Sequence, residues 1–543
     1  MKQIFLGACA LLALTFTMPQ VATAQTGPIN IIVNGYPMAL PTAPEIRNGF
    51  TMVPANAILT RMGFTVSYDA ALRQITGRKL KPGGGGEYSI VFTLDKPLVI
   101  INGQIVVPLP GQPNPYVKND YSMVPIRFIA QASSSEIEWD GDTRSVQFYY
   151  FDELHSGLYF YGRQPEGATD AVGALRVQGM QPNRFYDPLK PTLVYVHGMK
   201  PGKYREREAF RSDRVGSLNV QNFWIDRGWN VAIFQYAQLA DEGAGDINPI
   251  KLEAKIYSTG TGGGASGTRW VRSDGSYSPP AQNLSQPLAN FFADEWLRVF
   301  GGNNTTDLEL VGNSIGGNLA MAGTIVIRDR LLQNRTISRL PTRLTLIDPY
   351  WPGSPSSASL AFLADQEPSN LLRRFGTTST QEFAGIAGEL LQSDLFTNNA
   401  PGYVWTAYYR TSILGSVGYS ARLSRTTTFV ELRPDYAGSN PVFDAAGKHT
   451  APVMAYLASI STCPGKVDLG FVVRDEALRF TTSPVCSKAP TQRFIGGANL
   501  SNFLLSSASN YNLPGSTIKK KYVQSAGFNS FDFSTYLFTE TTF

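Results

Sequence analysis

LELVGNSIGGNLAMAG, residues 308–323, is the stretch around which the chain is organised. Leu308–Val311 is an apolar run suited to a buried strand, and from Asn318 onward Ala, Leu and Met fill a helix. Gly312-Asn313-Ser314-Ile315-Gly316 joins the two. A turn this tight leaves no room for side chains two residues before and two residues after Ser314, so glycine is needed there. The turn lifts the Ser314 hydroxyl clear of the sheet. It also leaves the Ile315 N–H, at the helix start, free to donate to a developing negative charge. Ser314 is therefore a candidate nucleophile and Ile315 a candidate oxyanion donor.

From about residue 151 strands alternate with helices, the pattern of a mostly parallel sheet. Thr192–Val196 reads as a strand ending in His197-Gly198-Met199, and Val231–Tyr236 as a second, within GWNVAIFQY. The Gly/Ser-rich TGTGGGASGTRWVRSDGSYS at 259–278 has no Lys-Ser/Thr helix after it, so it is a loop or hairpin tip and not a phosphate loop. SQPLANFFADEWLRVF, 285–300, carries apolar residues at helical spacing and leads into the 308–311 strand.

A serine between glycines at a strand-to-helix junction resembles the nucleophile elbow of the α/β-hydrolases. The resemblance implies an α/β-hydrolase fold with a mostly parallel sheet over 151–460. It also implies the chain order Ser, acid, His. The histidines are His155, His197 and His449, and only His449 follows Ser314. It sits in GKHTAPVMAYLAS, 447–459, on a loop before a helix, where the family's base belongs. His197-Gly198-Met199 resembles the H-G-x loop of lipases and esterases, which implies that the Met199 N–H is the second oxyanion donor. His197 itself is then a residue that orients the loop. For the acid, Arg343–Ile347 reads as a strand ending in Asp348-Pro349, which resembles pancreatic-type lipases. The rival is Asp435, in FVELRPDY, after the next strand. Asp348 is preferred, because only 14 residues separate Asp435 from His449.

Taken together, residues 185–460 resemble secreted lipases and esterases of the pancreatic-lipase type. The implied activity is carboxylic ester hydrolysis through an acyl-enzyme, with no cofactor and a small-molecule or lipid ester as substrate. Two departures are Asn313, where that family's elbow has His before the serine, and an unfamiliar intervening sequence. Residues 355–425 read as an insertion that forms a cap, with helices near 370–375 and 383–396. Two other functions fit the same chain: an extracellular attachment or binding protein with a degenerate hydrolase domain, and an esterase acting on polymers.

Upstream lies a repeat. RNGFTMVPANAILTRMGFTVSYDAALRQIT, 47–76, superposes on 118–148 with an offset of 71, placing Met52-Val53-Pro54 on Met123-Val124-Pro125, Asp69 on Asp140 and Arg73 on Arg144. Each unit reads strand, turn, strand, a helix begun at Val-Pro, then strand. This smaller α+β domain, 27–150, resembles the copper amine oxidase N-terminal-like (stalk) domain. It contains no His or Cys, so copper is not implied. The resemblance implies a spacer, with attachment to the cell envelope as its expected role.

Residues 1–24 read as a signal peptide: Lys2, an apolar core from Ile4 to Met18, and Ala22-Thr23-Ala24 before Gln25. The expected location is secreted or cell-surface, with no transmembrane segment after cleavage. Cys463 and Cys486 then remain, and in an exported chain they are expected to pair. With three histidines no metal site is expected. The formal charge of +5, or +4 without Lys2, is too small for this length to point to nucleic acid. Residues 461–543, with Lys519-Lys520-Lys521 in a turn, read as a small β-rich extension.

Overall fold

The computed structural model describes residues 27–141, 143–164, 174–177, 183–208, 221–242, 249–261, 266–301, 308–333, 340–351, 370–391, 404–410, 419–431, 449, 453, 466–468, 479–481, 520–524, 530–531 and 538–542. Asp435, Cys463 and Cys486 lie outside them, as does the segment read as a signal peptide.

The Leu308–Asn313 run is the centre of a ten-stranded mixed sheet. In chain order the strands are β1 (Gly157–Tyr161), β2 (Ala174–Arg176), β3 (Thr192–Val196), β4 (Asn230–Gln235) and β5 (Leu308–Asn313). They continue as β6 (Arg343–Ile347), β7 (Trp405–Arg410), β8 (Thr428–Glu431), β9 (Lys520–Gln524) and β10 (Phe538–Thr542). Their order across the sheet is β2-β1-β4-β3-β5-β6-β7-β8-β9-β10. From β4 through β9 every neighbouring pair is parallel; β2, β1 and β10 run antiparallel to their neighbours. Strands β3, β4, β5 and β6 are buried along their whole length, which is why they read as apolar runs and not as alternating ones.

The chain runs from β3 to β4 on one side, then crosses back to β5 on the other side of β3. That reversal opens a crevice at the carboxyl ends of β3 and β5, the place where open α/β sheets bind ligands. Helices Leu288–Phe300 and Ile315–Gln333 pack on each other, and their apolar residues Phe292, Trp296, Leu319 and Ile325 join β-strand residues in the main core.

Two readings are corrected by this sheet. The 355–425 interval is not all cap: β7 lies within it and pairs parallel with β6 on one side and β8 on the other. Its helix Thr380–Leu391 buries Phe383, Ala384, Ala387 and Leu391 in the main core. Likewise the tail is not wholly a separate extension. Lys520 and Lys521 lie in β9, not in a turn, and β9 continues the main sheet beside β8.

The N-terminal domain is built from the repeat by exchange. The paired M-V-P strands cross antiparallel at their centres, Val53 opposite Val124, with Met52 opposite Pro125 and Pro54 opposite Met123. The opening strand Asn30–Val33 forms a hairpin with Tyr36–Met38 on one side and pairs parallel with Ser145–Tyr149, at the end of the other unit, on the other. Left-handed turns recur at equivalent places: Asn48 with Gly49, and Asn119 with Asp120. Each unit lacks strands that the other supplies, so the two share one core.

Candidate active site

Ser314 stands at the end of β5 with φ +56, in the left-handed region, and the next residue begins the helix Ile315–Gln333. The glycines around it are needed because backbone fills their space. A Cβ on Gly316 would lie 2.2 Å from His197 O and 2.4 Å from Val196 O; one on Gly312 would lie 2.5 Å from Gly316 O. The elbow is therefore wedged against the end of β3. Gly198 is the other side of the same contact, since a Cβ there would sit 3.1 Å from Ser314 Cβ. The His197-Gly198-Met199 turn thus lies directly on the serine.

His197 holds that turn. Its ring is fully buried and stacks on Tyr236 with centroids 4.3 Å apart. The Tyr236 N–H donates to Nε2 at 3.3 Å, so Nδ1 carries the proton and donates to Gly198 O at 2.7 Å. The Tyr236 hydroxyl donates to His197 O at 2.6 Å. Burial lowers the imidazole pKa to about 4, which keeps it neutral. His155 is also buried, away from this turn, near Phe151, with its pKa lowered by burial to about 3.

On the opposite flank the elbow interlocks with the end of β6. Ile347 O accepts from Ser314 N–H at 3.1 Å and from Asn313 Nδ2 at 3.0 Å. The Tyr350 N–H donates back to Ser314 O at 3.1 Å. Asn313 is thereby a brace between two strand ends. Between these bonds stands Asp348, fully buried and, like Ser314, left-handed at φ +42. Its Oδ2 lies 2.8 Å from His449 Nδ1, across 101 residues of chain. With Nδ1–H donating to the carboxylate, His449 Nε2 is the free acceptor of the ring.

Beneath the turn is a polar cluster that sequence reasoning missed. Asn318 Nδ2 donates to Glu253 Oε1 at 3.0 Å and to Tyr350 O at 3.3 Å, and Asn318 Oδ1 accepts from the Tyr257 hydroxyl. Glu253 is fully buried, and burial raises its carboxyl pKa to about 8. A polar Asn in the apolar run 318–323 is the one signal that could have found it. Met199 packs at the core's edge, and Ile315 is buried at the first helical position, where N–H groups have no partner within the helix.

Among known proteins, residues 16–77 and 32–148 match the family model of the copper amine oxidase N-terminal domain. No curated protein sequence matches the chain. Similar solved structures include a Pyrobaculum calidifontis esterase, at 16% identity over 50% of this chain and 77% of that one, with a TM-score of 0.22. Acetyl xylan esterase 1 from Thermoanaerobacterium sp. JW/SL YS485 shares 10% identity over 49% of this chain and 74% of that one, TM-score 0.22. Pyrococcus horikoshii acylaminoacyl peptidase shares 10% identity over 75% of this chain and 57% of that one, TM-score 0.24. Overlaps this slight carry no argument about the chain's activity.

Proposed function

We propose that this chain is an exported serine hydrolase that cleaves carboxylic esters. The observation that carries the reading is the pairing of two strained residues. Ser314 and Asp348 both occupy the left-handed region at the ends of adjacent parallel strands, and Asp348 meets His449 at 2.8 Å. Such backbone strain is retained where the surrounding structure enforces it, and it concentrates at functional sites.

In this reading His449 Nε2 comes within hydrogen-bond reach of Ser314 Oγ and takes its proton as Oγ attacks the ester carbonyl. The Met199 and Ile315 N–H groups hold the resulting oxyanion, each donor contributing about 3 kcal/mol to the transition state. His449 returns the proton to the departing alcohol. Water then attacks the acyl-enzyme, His449 again taking a proton, and the carboxylic acid and free Ser314 are released. Asp348 keeps Nδ1 protonated and offsets the charge of the imidazolium. The chemistry needs no cofactor.

The test is hydrolysis of p-nitrophenyl esters from acetate to palmitate by the wild-type protein and Ser314→Ala in parallel. Turnover that the substitution lowers on the order of 10⁴-fold or more supports the nucleophile, and the chain-length optimum separates esterase from lipase. A folded wild-type protein with no turnover on any ester would instead favour the non-catalytic binding protein.

A further inference from the structure

The segment after the oxyanion turn, 200–208, has no strand or helix to fix it. Its anchors are side chains and single backbone bonds, and they fall into two sets. Near the turn they belong to the short helix Ala237–Ala240 that follows β4 and to Asp241 at its end. The Lys200 N–H donates to Ala240 O at 3.2 Å, and the Gly202 N–H donates to Asp241 Oδ1 at 2.8 Å. Further on, at Arg205 and Arg207, anchors come from the second unit of the N-terminal domain, while Arg205 Nη2 also donates to Ser273 O and the Glu208 N–H returns to the large sheet at Gln235 Oε1, 3.1 Å away. Arg205 Nη1 donates to Ser134 O at 2.9 Å. Arg207 forms an ion pair with Glu138, and its guanidinium lies 3.6 Å from the centroid of the Tyr149 ring.

The Arg207–Glu138 pair is mostly withdrawn from water, at 17% and 20% side-chain exposure. A charged pair so placed is strongly coupled, because removing either partner leaves the other desolvated without compensation. The planar guanidinium is held on one side by the carboxylate and on another by the ring, which fixes its direction as well as its charge. An irregular segment is only as well placed as its anchors, and a donor to a transition state must be placed to within about 0.5 Å.

We propose that the second repeat unit positions the oxyanion segment: Arg205 and Arg207, held by Ser134, Glu138 and Tyr149, set where the Met199 N–H stands. They are positioning residues, and the N-terminal domain is then a working part of the hydrolase, not a spacer. This rests on the ester-hydrolase reading above.

The experiment compares the full chain with Arg207→Met and with the milder Glu138→Gln, using Arg163→Met as control. Arg163 pairs with Asp226 on the exposed surface and is not one of the segment's anchors named above. Steady-state kinetics on a p-nitrophenyl ester are measured beside inhibition by an alkyl trifluoromethyl ketone, which adds Ser314 and forms an oxyanion. Arg207→Met is expected to lower kcat about tenfold with KM within about twofold, since the lost placement matters in the transition state. Ketone affinity should fall in parallel, and Arg163→Met should match wild type. The exchange Glu138→Arg with Arg207→Glu should recover part of the loss. If Arg207→Met does not fold, Glu138→Gln carries the same expectation at a smaller size. Unchanged kcat and ketone affinity in a folded variant, whatever the change in Tm, would overturn the proposal and leave the serine-hydrolase reading intact. A wild-type protein that neither turns over esters nor binds the ketone removes both together.

Discussion

Ser314 shows how a single residue trades stability for placement. At φ +56 a side chain bears a steric penalty of roughly 1–2 kcal/mol that glycine does not. Ser314→Gly is therefore expected to raise the stability seen in urea denaturation by about 1 kcal/mol while abolishing ester turnover. Three buried titratable groups make opposing contributions to the pH dependence of stability. Burial lowers His197 to about 4 and His155 to about 3, against 6.5 for an ordinary imidazole. Between pH 6.5 and 4 the unfolded chain therefore binds more protons, and stability falls as the pH falls, with a slope of about 1.4 kcal/mol per pH unit for each. Glu253 acts in the opposite sense. Burial raises it from 4.5 to about 8, so the folded protein keeps a proton that the unfolded chain has lost. Stability from this group is full below 4.5 and lost as the pH rises to about 8. The summed contribution of these three is greatest near pH 6.5. Glu253→Gln should replace the fall above that pH with a plateau, as urea midpoints from pH 5 to 8 would show; a fall that persists in the variant would exclude Glu253 as its source.

At the scale of elements, the elbow is a clasp between β3, β5 and β6, closed on one side by backbone contact and on the other by hydrogen bonds. Gly316→Ala places a methyl 2.2 Å from the His197 carbonyl, which cannot retreat because it ends a central strand. A loss of at least about 3 kcal/mol is expected. Gly376→Ala is the useful contrast: φ is +66 but nothing stands nearby, so only the backbone conformation resists, at about 1 kcal/mol. Asn313→Ala removes the brace to Ile347 O and should lower stability by about 1 kcal/mol and reduce kcat, read from urea midpoints and ester kinetics. This clasp was largely legible in the sequence, because a strand, a glycine-flanked turn and a helix within sixteen residues are local information. β7 was not placed correctly, although Trp405-Thr406-Ala407-Tyr408-Tyr409 is an aromatic and β-branched run. What makes it a strand of the main sheet is the pair of ladders to β6 and β8, and no local pattern states those. Continuation of the sheet into β9 was hidden for the same reason. Ser314 and Ile315 could be read from their neighbours. The contact of Asp348 with His449 spans 101 residues, and only resemblance to a family suggested it.

Across the whole molecule, the two domains meet through buried polar contacts as well as through Arg205 and Arg207. The 268–278 part of the Gly/Ser-rich stretch, read from sequence as a loop or hairpin tip, docks on the N-terminal domain. Its Ser273 is buried, shares a hydrogen bond of 3.0 Å with the Tyr88 hydroxyl, and bonds to Asp152, which pairs with Lys79 at 2.8 Å. The Tyr159 hydroxyl of β1 reaches Asn34 O at 3.0 Å. Domains joined in this way should unfold together, so calorimetry should show one transition. Asp152→Ala leaves Lys79 without its partner and should lower stability by about 3 kcal/mol; two transitions already present in the wild type would mean that the domains are independent. In the proposed mechanism Ser314 is a nucleophile activated by His449. Its most direct test is mass-spectrometric mapping after treatment with an alkyl fluorophosphonate, which phosphonylates activated serines and releases fluoride. The expected result is a single adduct on the peptide containing Ser314, absent from Ser314→Ala and much slower to form in His449→Ala. A folded wild-type protein with no adduct, or with the adduct on another serine, would contradict it.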